Sequence, residues 1–175
     1  AVGVDPEVRA SFDAALGELE ALGAIVTEVE IPSLAFATAA NSMLMISEAF
    51  SYHRANLISQ PENYGDTARA CFVLGGTYTT GDYQQAMRAR SRVKREHAEV
   101  MRSVDLIATP TMATTAGSFE YDLLPVIQLP NFQGPMNQTG MPAISVPSGF
   151  SADGMPIGLQ LSGRPFDEAT VLSAA

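Results

Sequence analysis

Serine, histidine, cysteine, lysine and the carboxylates are the side chains that could turn over a substrate, so their spacing is the first test. The two histidines, His53 and His97, each sit in a stretch of helical pattern. No Gly-x-Ser-x-Gly elbow lifts a serine onto a sharp turn. Ser145 falls inside a short apolar run that reads as strand, and a hydroxyl with no base beside it is a poor nucleophile. Both histidines therefore read as surface or packing residues. No two of Cys71, His53 and His97 have ligand spacing, and no His-x-x-x-His or Cys-x-x-Cys pair occurs, so no metal or cofactor is expected. Gly75-Gly76-Thr77 lacks the lysine and the strand–loop–helix setting of a phosphate loop. Glu18 and Glu20 read as solvated carboxylates.

A net charge of −9, with Asp5, Glu7, Asp13, Glu18, Glu20, Glu28 and Glu30 crowding the first thirty positions, opposes binding to nucleic acid or an anionic membrane. The one basic run, Arg88, Arg90, Arg92, Lys94 and Arg95, spreads around a helix and reads as a solvated face. Apolar residues make up 46% of the 175, enough for one domain-sized core. Trp is absent, and Met43 and Met45 are expected to fill gaps in the core. A single cysteine, Cys71, excludes an intrachain disulfide and suits a reducing compartment, so a cytoplasmic location is expected. No run of about 18 apolar residues predicts a membrane span, and no signal peptide is visible. The first residue is Ala1, which suggests processing, cutting or a piece of something longer.

The elements that must position these residues are punctuated by Pro and Gly. Asp5-Pro6-Glu7 starts a helix that carries Val8, Phe12, Leu16, Leu19 and Leu22 and ends at Gly23. Residues 24–31 alternate, with Ile25, Val29 and Ile31 on one side, which predicts a half-exposed strand stopped by Pro32. Leu34 to Ile58 reads as a long, largely buried helix, and Thr67–Leu74 as a short one. Asp82 is placed as the cap of another long helix reaching Ser103, with Tyr83, Met87, Val93, Val100 and Met101 on its apolar side. Asp105–Thr109, Ala143–Val146 and Pro156–Leu161 read as short buried strands, and Asp167 opens a helix from Glu168 to Ala175. Residues 110–135, with four prolines and little periodicity, form a loop of a length that is usually functional. Helices interleaved with few buried strands predict an α/β fold whose mixed sheet is covered on both faces and incomplete in this chain.

Residues 137–168 are the most specific stretch. They read Asn137-Gln138-Thr139-Gly140-Met141-Pro142-Ala143-Ile144-Ser145-Val146-Pro147-Ser148-Gly149-Phe150, then Gly154-Met155-Pro156-Ile157-Gly158-Leu159-Gln160, then Phe166-Asp167-Glu168. This run closely resembles the C-terminal signature of amidase signature enzymes. Asp105 through Pro110 and Thr111 is similar to the family's D-x-x-x-x-P-T strand end, and Leu74-Gly75-Gly76 with Tyr83 to the segment before it. Asp5 to Pro32 resembles the family's helix and strand that follow a central strand, so the likeness spans essentially the whole chain.

The resemblance implies an enzyme that hydrolyses amides through a Ser–cis-Ser–Lys triad, with a buried neutral lysine as base and backbone amides as oxyanion hole. Those parts belong to the family's N-terminal portion. This chain has no adjacent serines, and its only lysine, Lys94, lies among arginines. The chain alone is therefore expected to be inactive, with the N-terminal remainder of the enzyme as its partner and a homo-oligomer as a further option. In the family's glutamine-using members, which serve the tRNA-dependent amidotransferases, an arginine on the long helix holds the substrate carboxylate. The matching position is Arg90. Those members also carry an aspartate just before N-x-x-G, whereas residues 129–135 hold no acid, which favours a general amidase. Phe119, Tyr121, Leu123 and Leu124 are candidates to line an apolar acyl pocket or to anchor their loop. A non-catalytic half of a split enzyme is the remaining alternative. It is distinguished by whether the upstream reading frame encodes the Gly/Ser-rich loop and a lysine motif.

Overall fold

Asp5 caps the first helix as its place before Pro6 predicts: its carboxylate accepts the Glu7 amide at 2.8 Å, and α1 runs Pro6–Ala21. The computed structural model describes residues 3–118 and 129–175. After α1 come α2 (Leu34–Ser59), a 3-10 turn at Pro61–Asn63, α3 (Asp66–Gly75), α4 (Thr80–Val100), β1 (Leu106–Pro110), α5 (Gly134–Thr139), β2 (Ala143–Phe150), β3 (Pro156–Gly163) and α6 (Glu168–Ala174). The fold is α/β, as the sequence pattern predicts.

The last strand lies in the middle. Sheet order is β1-β3-β2, and both pairings are antiparallel, with Leu106 opposite Gly163 and Ala143 opposite Ser162. The parallel part of the expected mixed sheet has no strand among the described residues. Successive side chains of a strand point to opposite faces. In β3, Ile157, Leu159 and Leu161 on one face and Gln160 and Ser162 on the other are all buried, so both faces are covered. On the Ser162 side, Ile107 joins Ile31, Met101, Met136 and Met141 in one apolar cluster. On the other, Val171 of α6 closes over Gly163. Pro147 is accommodated in β2 because that strand has one neighbour among the described strands, and the register shift beside it leaves Ser148 as an extra residue.

Five sequence expectations change. Residues 24–31 form no strand: alternation describes a half-buried surface, but a strand also needs a neighbour to pair with. No strand among the described residues supplies one. Ile25 is 92% exposed, and Ile31 alone enters the core. Helix α2 is present over almost its expected span but is not largely buried; Ala37, Ala40 and Leu44 are its buried residues. Met45, expected in the core, is exposed. The cap of α4 is Thr79, not Asp82. Thr79 Oγ1 accepts the Asp82 amide at 3.2 Å while Asp82 accepts the Thr79 amide at 2.9 Å, a reciprocal capping box. The other end of α4 is Val100, short of Ser103.

Candidate functional site

Helices α2 and α4 lie antiparallel, tied at one end by Ser33 to Glu96 and further along by Glu48 to Tyr83. Glu96 accepts the Ser33 amide at 2.6 Å, so an acid on α4 supplies the cap that the Ser33 side chain does not make for α2. The Arg92 guanidinium, 2.7 Å away, and then Ser33 hold the Glu96 pKa down to about 2. Tyr83 donates to Glu48 at 3.0 Å, and this bond, burial and the carboxylate's charge raise the Tyr83 pKa against the opposing field of Arg90.

Helix α5 carries the start of the N-x-T-G run and locks into the same layer. Arg90 Nε donates to the Gln138 carbonyl at 2.8 Å, and Gln138 Nε2 donates to the Ala37 carbonyl at 2.7 Å. Gln138 thus links α2, α4 and α5 from a position 2% exposed, and its Oε1 has no protein partner among the described residues. Arg90 is half-buried, with Nε committed to α5 and its two terminal nitrogens without a partner among the described residues. Gly140 ends α5 at φ 72, a left-handed turn that suits glycine. Asn137 is exposed on α5, and the Pro142 carbonyl accepts the Gly163 amide at 3.0 Å.

A second constellation gathers at the sheet. Thr111, just past Pro110, and Ser145 on β2 meet across β3, hydroxyl to hydroxyl at 2.6 Å. Gly158 lies beneath them: a Cβ there would sit 2.7 Å from the Ser145 oxygen and 2.8 Å from that of Thr111, so only glycine lets the pair form. Beside it opens a groove of about 570 Å³, walled by Val8 of α1, Met112, Ala116, Pro147 and Ile157. One step along β3, Gln160 donates to Thr109 Oγ1 and to the Phe132 carbonyl, both at 3.0 Å, fastening the approach to α5 onto the sheet.

The remaining signature residues shape the frame. Asp105 is exposed and accepts from Arg164 at 3.3 Å; Arg164 also donates to the Met101 and Val104 carbonyls and clamps the end of α4 to the sheet. Gly154, at φ 77, makes the β2–β3 turn. Phe119, Tyr121, Leu123 and Leu124 lie outside the described residues. His97 is a packing residue: it is 2% exposed, its Nδ1 lies 2.8 Å from the Val93 carbonyl, and burial pushes its pKa down. His53 stacks on Phe72 and meets the Tyr64 hydroxyl at 3.0 Å. Sequence reasoning missed Glu48, Gln138 and Arg164. Gln138 alone carried a signal, as a polar residue inside the motif that caps the next strand.

Comparison with known proteins identifies the family. The Amidase family model matches residues 1–172, and the chain belongs to the amidase signature family. It is 35% identical to an amidase of Pseudomonas putida, covering 98% of this chain and 38% of that protein. It is also 35% identical to a component of the glutamyl-tRNA(Gln) amidotransferase of Brevibacillus brevis, over 99% of this chain and 41% of the relative. A crystal structure of an amidase superposes with a TM-score of 0.86 at 27% identity, covering 98% of this chain and 41% of that one. The chain spans about 40% of the length of the relatives it matches. No helix among the described residues is long and apolar enough to cross a membrane.

Proposed function

We propose that this chain is part of an amidase that hydrolyses a carboxylic amide to a carboxylate and ammonia or an amine. In this reading it supplies one wall of the substrate site, and sequence outside it supplies the nucleophile. The family match over residues 1–172 carries the reading. The division of labour is supported by what the chain contains: no two serines are adjacent, and the chain's one lysine, Lys94, is exposed on α4 rather than buried as the triad's base must be. A triad in which one serine attacks the amide carbon, a second relays its proton and a neutral lysine accepts it needs a dry, fixed site. This chain's share is to fix α5 through Arg90 and Gln138 and to present the residues around it. Cys71, exposed as a free thiol, fits a cytoplasmic setting.

The relative named as part of an amidotransferase, equal in identity to the amidase, favours a second reading. In it the terminal nitrogens of Arg90, which have no partner among the described residues, hold the carboxylate of glutamine by a charge-assisted, two-bonded grip. Ammonia release decides between the readings. The chain alone is expected to release none from any amide. A polypeptide extended by the upstream coding region is expected to turn over simple neutral amides. Turnover by the purified chain alone would sink the division of labour, and turnover of glutamine in preference to neutral amides would establish the second reading.

A further inference from the structure

The geometry points to the groove beside Thr111, Ser145 and Gly158 as a subsite for the apolar portion of a neutral carboxamide, with the hydroxyl pair as its polar anchor. The inference rests on the amidase reading and narrows its substrate class. Three observations carry it. The groove's volume of about 570 Å³ is that of a small-molecule site. Its described walls are carbon and hydroxyl: Val8, Met112, Ala116, Pro147 and Ile157 surround the Thr111 and Ser145 oxygens, and none of the described lining residues is ionisable. A charged group entering it would lose its water and meet no counter-ion among them.

The third observation is the hydroxyl pair. At 2.6 Å one hydroxyl donates to the other, which leaves one free proton and several lone pairs on the two oxygens. That set matches a primary carboxamide, whose carbonyl accepts and whose NH2 donates. Gly158 makes the arrangement possible, because any side chain there would overlap both oxygens. The Thr111 amide is spent on the Gly158 carbonyl at 2.8 Å, so the backbone holds the pair over the groove floor.

Ligand-observed saturation-transfer NMR on the chain, with hexanamide and succinamate as probes, tests the proposal. Hexanamide is expected to receive saturation along its methylenes, and succinamate to bind roughly tenfold more weakly or not at all. Ala116→Trp, a plug at an exposed rim position, is expected to abolish the hexanamide signal. Thr111→Val, which keeps the shape and removes the anchor, is expected to weaken hexanamide about tenfold. No hexanamide signal, equal binding of the two probes, or full binding to the Ala116→Trp chain overturns the proposal. So does an unchanged hexanamide KM when Ala116→Trp is placed in the upstream-extended polypeptide, since the groove would then be covered by other sequence. Binding to the chain without turnover of any amide by the extended polypeptide would instead count against the amidase reading. Turnover without binding sinks this inference alone.

Discussion

Glu96 and His97, neighbours on α4, respond to acid in separate pH ranges. Glu96 falls from an ordinary 4.5 to about 2 on folding, so its contribution is present above pH 4.5 and is lost as pH falls through about 2. Glu96→Gln is expected to lower the thermal midpoint at neutral pH, and the gap to the parent chain should close as the pH approaches 2. A gap that does not change with pH would rule the carboxylate out as the cap of α2. His97 titrates earlier. Its folded pKa lies below the ordinary 6.5 because burial disfavours the charged ring. The unfolded chain therefore takes up the proton first, and stability declines as pH drops below about 6.5. His97→Gln should flatten that decline in a pH series of thermal melts. Gln160 serves two acceptors from a buried position, and Gln160→Leu leaves both without their donor, at an expected cost of about 2 kcal/mol measured by denaturant unfolding.

The packing of elements turns on close approaches that side chains would prevent. A Cβ on Gly75 would run into the Ile46 carbonyl of α2, and one on Gly76 into the Phe50 ring 2.6 Å away. Gly75→Ala is expected to push α3 off α2 and destabilise by about 1–3 kcal/mol, read from urea unfolding at unchanged m-value. Much of this level was legible in the sequence. Asp5-Pro6 marks the start of α1, the Gly- and Pro-free run gives α2, and Pro110 and Pro142 bound β1 and β2. The capping box at Thr79 and Asp82 was also in the sequence, and the cap expected at Asp82 took its second member for the first. What pairs with what was not legible. Ser33 with Glu96 and Glu48 with Tyr83 join residues 63 and 35 positions apart, set by how two helices dock rather than by any local pattern. The site shows the same division. Gly158, Ser145 and Thr111 each belong to a family motif, yet their meeting depends on a cross-strand register that no motif states.

At the scale of the molecule, large apolar side chains remain on the outside: Ile25, Tyr52, Ile58, Phe150 and Phe166 are all more than 70% exposed. Where such side chains gather into a contiguous patch, they mark contact with other protein. The chain on its own is expected to self-associate, seen as elution volume shifting with concentration and as binding of an apolar dye. Co-expression with the upstream coding region should suppress both. A monodisperse monomer with sharp, cooperative unfolding would contradict the expectation.

The strand order has a consequence for how the protein is made. The β1 strand ends at Pro110, and β3, its partner among the described strands, begins at Pro156, after β2. A ribosome adding about 5–20 residues per second therefore leaves β1 without that partner for roughly 2–10 s. During that interval Leu106 and Ile107 are open to any other strand or chaperone that reaches them. Rare codons between positions 110 and 156 would lengthen the wait, so synonymous changes there should alter the soluble yield of a protein whose amino-acid sequence they leave untouched.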